Sequence, residues 1–135
     1  MKLFRFMSKE EFIKYSNGIE LVNEVDHSKD RDKKTNSIGF CFFNFAHYKP
    51  EEMFHSVTGI TSWDICVIFE TERKYVRKTW GRYGQAISKN SLQRKVIIAD
   101  EYCTTRYSNK TFKILEYAIP VWSNWDSWEW REYGR

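Results

Sequence analysis

The sequence lacks most of the local patterns that identify an enzyme class. Its only short glycine-rich candidate, GRYG, has neither the lysine nor the spacing of a phosphate-binding loop. It also lacks a Gly-x-Ser-x-Gly nucleophile elbow and a zinc-protease motif. The cysteines Cys41, Cys66 and Cys103 lie far apart and form no zinc-ligand spacing, with or without histidines. We therefore expect reduced, buried thiols and no metal.

Long apolar runs are absent as well. No segment approaches the roughly 20 residues that a bilayer span requires. The N-terminal segment MKLFRFMSKEEF lacks the apolar core and cleavage site of a signal peptide, so we expect a cytoplasmic protein without membrane contact. Aromatic residues make up 18% of the 135 residues, which predicts an ordered domain with an aromatic core. The prediction is a single domain over 1–135, with 122–135 as a Trp-rich terminal helix or tail.

Acidic residues are missing from one stretch, residues 73–95, which we call the basic segment. It contains eight cations and no acid, so its formal charge is +8 in a chain whose total is +4. Such a block indicates a polyanionic partner, and the interleaved Tyr75, Trp80 and Tyr83 offer stacking surfaces for bases. The eight cations are Arg73, Lys74, Arg77, Lys78, Arg82, Lys89, Arg94 and Lys95.

Hydrophobic periodicity predicts more strands than helices. Strands are expected at 3–7, 19–22, 37–45, 65–70, 96–102 and 112–119. Helices are expected from the Ser8–Glu11 capping-box spacing to Asn17, over 50–59, and in the tail. A polar loop is expected over 23–36, and Gly81 and Gly84 are expected to mark turns. The pattern predicts an α+β fold, a mostly antiparallel sheet with two or three packed helices.

Polar residues occur at three places in or next to predicted apolar strands. Arg5 lies inside the first strand, where a guanidinium needs a partner because an unpaired buried charge is very costly. Thr35-Asn36-Ser37 precedes the most apolar strand, and Asp100-Glu101 ends a late one. Glu101, Asp100, a helix end or a bound anion would each satisfy Arg5. Thr35 and Ser37 are equally typical of turns.

The segments LFRFMS, TNSIGF and ADEYCTT resemble the arginine–serine–glutamate branch of the ADP-ribosyltransferase superfamily. The resemblance implies an ADP-ribosyltransferase-like fold with NAD as cofactor, in which Arg5 holds NAD, Ser37 orders the site and Glu101 is catalytic. A carboxylate there would stabilise the positive charge that develops on the ribose. The chain departs from the family pattern in two places. Its triplet is Thr-Asn-Ser, and Cys103 follows Glu101 where a Glu-x-Glu pattern would place a second Glu.

The same resemblance gives a wider set of cofactor contacts and a setting. The cofactor-binding residues it suggests are Arg5, Thr35, Ser37, Phe40, Tyr83 and Tyr102. The segments LFRFMSKEEF, TNSIGFCFF and DEYCTTRYS are also similar to those of small phage and mobile-element proteins. That similarity implies an anti-defence, anti-CRISPR-like role in the host cytoplasm, with a host protein or ribonucleoprotein complex as partner.

Three functional hypotheses remain open at this point. The first is an NAD-dependent mono-ADP-ribosyltransferase that modifies a host macromolecule. The second is a non-catalytic stoichiometric inhibitor whose basic segment binds nucleic acid or a nucleic-acid-binding host complex, and in which Arg5 and Glu101 have only a structural role. The third is a protein that binds a small nucleotide signal through the same cations, with less dependence on salt.

Overall fold

The structure, a computed structural model, describes residues 1–29, 35–44, 50, 64–90, 93–121 and 128–134, with the backbone alone for 83–90 and 93–98. Within these ranges the chain forms a seven-stranded sheet in the order β5-β6-β3-β1-β4-β8-β9, and all of its neighbouring strands are antiparallel. A small second sheet pairs β2 with β7. The strands are β1 (Lys2–Met7), β2 (Leu21–Val22), β3 (Phe40–Asn44), β4 (Ile65–Thr71), β5 (Arg77–Asn90), β6 (Gln93–Thr104), β7 (Arg106–Tyr107), β8 (Phe112–Ala118) and β9 (Arg131–Glu132).

The central strand β1 is buried on both faces because its side chains belong alternately to two hydrophobic clusters, one on each face of the sheet. Leu3 and Met7 join the aromatic core beneath the helix, which contains Tyr15, Phe42 and Phe69. Members of the second cluster, on the opposite face, are Phe4, Phe6, Phe43, Cys66, Ile68, Ala99, Ala118 and Trp128. The alternation of side chains along a strand therefore decides which core a residue enters.

The helix α1 (Lys9–Ser16) begins and ends at the predicted residues. The Ser8 hydroxyl accepts a hydrogen bond from the Glu11 backbone N–H at 3.1 Å, which caps the helix. The helix ends at Asn17, and Gly18 follows with a φ of 77°. Tyr15 is the buried anchor of α1, and its hydroxyl donates to the backbone carbonyl of Phe112 on β8.

The mostly antiparallel α+β class is confirmed, but the described residues contain one α-helix where two or three were predicted. The predicted helix over 50–59 falls almost entirely outside the described residues. Gly81 and Gly84 do not form turns, because both lie inside the long strand β5. The described part of the tail contains the strand β9, which pairs with β8, so the prediction of a helix is wrong there.

No helix among the described residues is long and apolar enough to cross a membrane. The short 3-10 turns at His27–Lys29 and Arg73–Tyr75 are the remaining helical elements of these ranges.

Candidate functional site

Arg5 is held by a carboxylate that lies only six residues further along the chain. Its Nε donates to Glu11 Oε2 and its Nη2 to Glu11 Oε1, both at 2.7 Å. Its Nη1 donates to the Cys41 carbonyl oxygen at 3.0 Å, and its guanidinium lies over the Phe40 ring at 5.1 Å. The Tyr107 hydroxyl donates to Glu11 Oε2 at 2.5 Å. This fork-to-fork pair joins the first strand to the helix that follows it.

The electrostatics of this cluster stabilise a charged arginine in the core. Burial disfavours the charged guanidinium, but the adjacent Glu11 carboxylate more than offsets that effect, so the pKa of Arg5 lies above its ordinary value. Burial and then the Glu11 charge raise the pKa of the Tyr107 hydroxyl as well. Arg5 and Tyr107 therefore keep their protons under all ordinary conditions, and the cluster is one buried ion pair with a phenol attached.

Glu101 lies in a second polar cluster and is only 1% exposed. Its Oε1 accepts hydrogen bonds from the Thr79 hydroxyl at 2.6 Å and from the Thr35 hydroxyl. The Ser37 backbone N–H donates to the Thr35 hydroxyl at 3.1 Å. A Cβ added at Gly81 would lie 2.7 Å from Glu101 Oε1, so a glycine is needed where β5 passes this carboxylate. The structure thus links Thr35 directly to Glu101, and Ser37 to Thr35 through its backbone N–H.

Arg5 and Glu101 lie on opposite faces of the sheet. The register pairs Phe4 with Phe43 and Phe43 with Glu101, so these three side chains share one face. Arg5 alternates with Phe4 and lies on the other face, with Phe42 and Tyr107. The interpretation of Arg5 and Glu101 as one salt bridge is wrong, because the carboxylate that binds Arg5 is Glu11.

Of the aromatic residues predicted to contact the cofactor, Phe40 and Tyr102 lie on the Arg5 face of the sheet. Phe40 packs against Arg5 and Tyr107, and Tyr102 lies beneath the Arg73 guanidinium at 5.2 Å. Both residues belong to the core beneath the helix and not to the Glu101 cluster. The Tyr83 side chain lies outside the described part of the structure. The described residues therefore supply no single pocket in which Arg5, Phe40 and Glu101 all contact one NAD molecule.

The Cys41 thiol lies beside the Glu101 cluster. Its Sγ donates to the Ser37 hydroxyl at 3.5 Å, and the register places Cys41 directly opposite Cys103 on β6. Burial, followed by the negative charge of Glu101, raises the pKa of Cys41 to about 12. A thiol with that pKa is almost wholly protonated at neutral pH and is a poor nucleophile.

Most of the basic segment forms one edge of the sheet. β5 is the edge strand and pairs with β6 from Arg77 opposite Cys103 to Asn90 opposite Gln93, and we call this pair the β5–β6 ribbon. β6 pairs with β3 only over 101–104 in the described ranges, so the part from 93 to 100 has β5 as its described neighbour. Lys89, Arg94 and Lys95 belong to the distal end of the ribbon, but their side chains are not described.

The described cations of the basic segment are exposed and loosely paired. Lys78 and Arg82 both contact Asp100, at 3.5 and 3.1 Å, with side chains 50% and 66% exposed. Lys74 contacts Glu72 at 3.1 Å, and Arg77 donates to the Asn36 carbonyl oxygen at 2.8 Å. Asp100 and Glu72 lie outside the segment in sequence, so folding reduces the excess charge without removing it. Exposed pairs of this kind are worth little in water.

Trp80 is the most exposed large apolar side chain of the described residues, at 74%. It lies on the edge strand, and its backbone N–H donates to the Asn36 side-chain oxygen at 2.8 Å. The sequence indicates Trp80 as a stacking residue and Ser8–Glu11 as a helix cap, but it does not reveal the contacts of Asn36 with Trp80 or of Thr79 with Glu101. The Glu11 backbone N–H donates to Ser8 as that spacing predicts, while the Glu11 carboxylate binds Arg5, which the spacing does not indicate.

No group of three or more His, Cys, Asp or Glu side chains in the described ranges is arranged to hold a metal ion. No protein-family model, curated protein sequence or solved structure matches the chain, so the site has to be interpreted from its own chemistry.

Proposed function

We propose that the protein binds single-stranded nucleic acid along the β5–β6 ribbon and acts by occupancy, without turnover. The observation that carries this proposal is the exposed Trp80 on an edge strand, two residues along β5 from Lys78 and from Arg82. A large indole left 74% exposed on a strand that carries cations is suited to stack on a base while the cations contact the adjacent phosphates.

The ion pairs of the ribbon do not prevent this use. Lys78 and Arg82 share one carboxylate, that of Asp100, so the trio keeps a net positive charge. Exchanging an exposed carboxylate contact for a phosphate contact costs little, because surface pairs contribute about 0–1 kcal/mol. Release of condensed counterions from the nucleic acid then favours binding at low salt.

The length of the ribbon suits an extended ligand. β5 has 14 residues, which corresponds to about 45 Å at the rise of an antiparallel strand. The register pairs Ser88 with Arg94 and Ile87 with Lys95, so Lys89, Arg94 and Lys95 add three further cations near the distal end by position. A flexible single strand can follow such a row of cations, whereas a rigid acidic protein would have to match their spacing.

Binding of a labelled single-stranded oligonucleotide of about 12 nucleotides, measured by fluorescence anisotropy, tests this proposal. Trp80→Ala should weaken binding by about 1–3 kcal/mol, and Trp80→Phe should retain most of the affinity because it keeps a stacking ring. Both variants should unfold at the temperature of the wild type, since the side chain is exposed. Binding of a polyglutamate peptide but no oligonucleotide would identify an acidic protein as the partner and refute the proposal.

A second candidate function is the NAD-dependent mono-ADP-ribosyltransferase, with the ADP-ribosyltransferase-like fold that the resemblance implies. It is favoured by the hydrogen bond from Thr35 to Glu101, which unites two of the three segments that carry the resemblance. The described residues do not fit NAD as that resemblance assigns them, because Arg5 is occupied by Glu11 on the opposite face. We therefore derive no catalytic step.

Transfer of label from biotinylated NAD into proteins of a host lysate tests the second candidate. Wild-type protein should label a target, Glu101→Gln should not, and Glu129→Gln should behave as wild type because its carboxylate is 81% exposed. Equal labelling by wild type and Glu101→Gln, with both proteins folded, would exclude Glu101 as the reacting carboxylate.

A further inference from the structure

A cationic groove lies at the base of the β5–β6 ribbon, where Arg77 begins β5. Its volume is about 340 Å³, within the range of small-ligand sites. It is bounded by the 3-10 turn Arg73–Tyr75, the first residue of β5, the end of β6 and Ile38. Val76 and Cys103, both buried, line it from the protein interior. The groove is therefore a concavity with an apolar base and an open rim.

The rim carries two cations and two threonines. Lys74 and Arg77 both line the groove. Arg77 Nη2 is fixed on the Asn36 carbonyl oxygen at 2.8 Å, which holds the guanidinium in one position before any ligand arrives. Lys74 is 69% exposed, and the one carboxylate it contacts, that of Glu72, is exposed as well, so a stronger anion can displace that contact. Thr104 and Thr105 also line the rim, and the Thr104 hydroxyl donates to the Arg106 carbonyl oxygen at 2.9 Å.

The walls supply a surface for a flat group. The Tyr75 ring, 36% exposed, and the Ile38 side chain, 37% exposed, both line the groove. The Lys74 ammonium already lies over the Tyr75 ring at 5.1 Å, so a cation and an aromatic face are available at one point. Two cations for a phosphate, and an aromatic wall for a base, are together the complement of one nucleotide.

We propose that this groove binds a nucleoside 5′-monophosphate unit, with its phosphate at Arg77 and Lys74 and its base against Tyr75. The volume suits one nucleotide, whereas inorganic phosphate alone would leave the aromatic wall unused. Two kinds of ligand present this nucleoside 5′-monophosphate unit: a free nucleotide, and the 5′-phosphorylated end of a strand that lies on the ribbon. The chemistry of recognition is the same for both.

Isothermal titration calorimetry with AMP on the full chain tests the groove without requiring any strand to bind. Wild-type protein should bind AMP, and adenosine should bind at least about tenfold more weakly because it lacks the charge-assisted contacts. Inorganic phosphate should compete with AMP at higher concentration. Absence of AMP binding at millimolar concentration would overturn the proposal.

Three variants assign the contacts. Arg77→Gln and Lys74→Gln should each weaken AMP binding by about tenfold, and Tyr75→Ala should weaken AMP and adenosine alike. Arg131→Gln is the control, since its guanidinium is 59% exposed, contacts Glu129 and does not line the groove. If Arg77→Gln destabilises the fold through Asn36, the exposed Lys74 still gives the test. Equal loss in Arg131→Gln, or none in the groove variants, would overturn the assignment.

Two oligonucleotides distinguish the sources of the nucleotide. A 5′-phosphorylated strand that binds at least about tenfold more tightly than its 5′-hydroxyl counterpart, with the difference lost in Arg77→Gln, supports the strand end. AMP binding with no effect of the 5′-phosphate supports a free nucleotide. The groove and the ribbon proposals can fail separately, because AMP tests the first and a 5′-hydroxyl strand tests the second.

Discussion

At the scale of single residues, the Arg5–Glu11 pair is the most consequential contact for stability. Truncating Glu11 to Ala would leave a buried guanidinium without its carboxylate, so we expect a loss of about 3–5 kcal/mol in the free energy of unfolding. Tyr107→Phe removes one hydrogen bond to the same carboxylate and should cost about 1–3 kcal/mol. Urea denaturation measures both.

Glu10→Ala is the control for this prediction, because Glu10 is an exposed neighbour on the same helix and has no part in the cluster. It should cost less than about 1 kcal/mol. A Glu11→Ala variant no less stable than Glu10→Ala would contradict the role given to the pair.

The raised pKa values of buried thiol and phenol groups predict a loss of stability in alkali. Burial raises the pKa of Cys41 from 9.0 to about 12 and the pKa of Tyr15 from 10.0 to about 12. Each group keeps its proton longer in the folded state, so its contribution is complete below the ordinary pKa and is lost as pH rises toward 12. The urea concentration at the midpoint of unfolding should therefore decrease as the pH is raised from 9 to 12.

Cys41→Ala separates the two contributions to that loss. Its midpoint should decline less steeply than that of the wild type from about pH 9 to about pH 12, because the thiol contribution is lost across that whole range, and the decline that remains above about pH 10 includes that of Tyr15. An unchanged profile in Cys41→Ala would show that the thiol does not contribute.

The sequence indicates that the buried Arg5 needs a partner but does not identify Glu11 as that partner. Arg5 between two phenylalanines requires a partner, and the sequence offers Glu101, Asp100, a helix end or a bound anion. The Glu11 carboxylate belongs to the first turn of α1, so the structure selects the helix end. Glu11 faces Arg5 because the chain reverses at Ser8 and the first turn of α1 folds back over β1. That contact depends on the angle between a strand and a helix, which residue spacing alone does not determine.

At the scale of elements, α1 shows how local chemistry specifies structure. Ser8→Ala removes the side-chain acceptor for the Glu11 backbone N–H and should cost about 1 kcal/mol. Ser8→Asn keeps an acceptor in the same position and should recover most of that loss. Thermal unfolding monitored by circular dichroism compares the stabilities of the two variants. An equal loss of stability in both would rule out capping as the cause.

The same local reasoning failed within the basic segment. Gly81 and Gly84 were read as turn residues, yet β5 continues through both, with a register shift between Lys78 and Arg82. Gly81 is explained by a long-range contact, the Glu101 carboxylate that a Cβ would meet at 2.7 Å. A glycine required by a neighbouring strand has no signature in its own segment.

At the scale of the whole molecule, strand order and register decide which predicted residues meet. The sequence predicted the mostly antiparallel sheet and most of its central strands, but not that β3 would lie between β1 and β6. That arrangement unites Thr35 with Glu101 and puts Arg5 on the other face. A one-residue shift in the register of β1 with β3, or of β3 with β6, would put Arg5 and Glu101 on the same face of the sheet. Short motifs do not determine register, so they could not predict which residues share a face.

The salt dependence of oligonucleotide binding tests the ribbon proposal most directly. The logarithm of the binding constant should fall linearly with the logarithm of salt concentration, with a slope of about −0.7 for each phosphate neutralised. The double variant Lys78→Gln, Arg82→Gln should have a slope about 1.4 shallower than the wild type. Arg106→Gln, Arg131→Gln is the matched control, since both arginines are similarly exposed and paired with acids away from the ribbon, and its slope should be unchanged. A wild-type protein that does not bind at low salt, or a ribbon variant with the wild-type slope, would contradict the proposal.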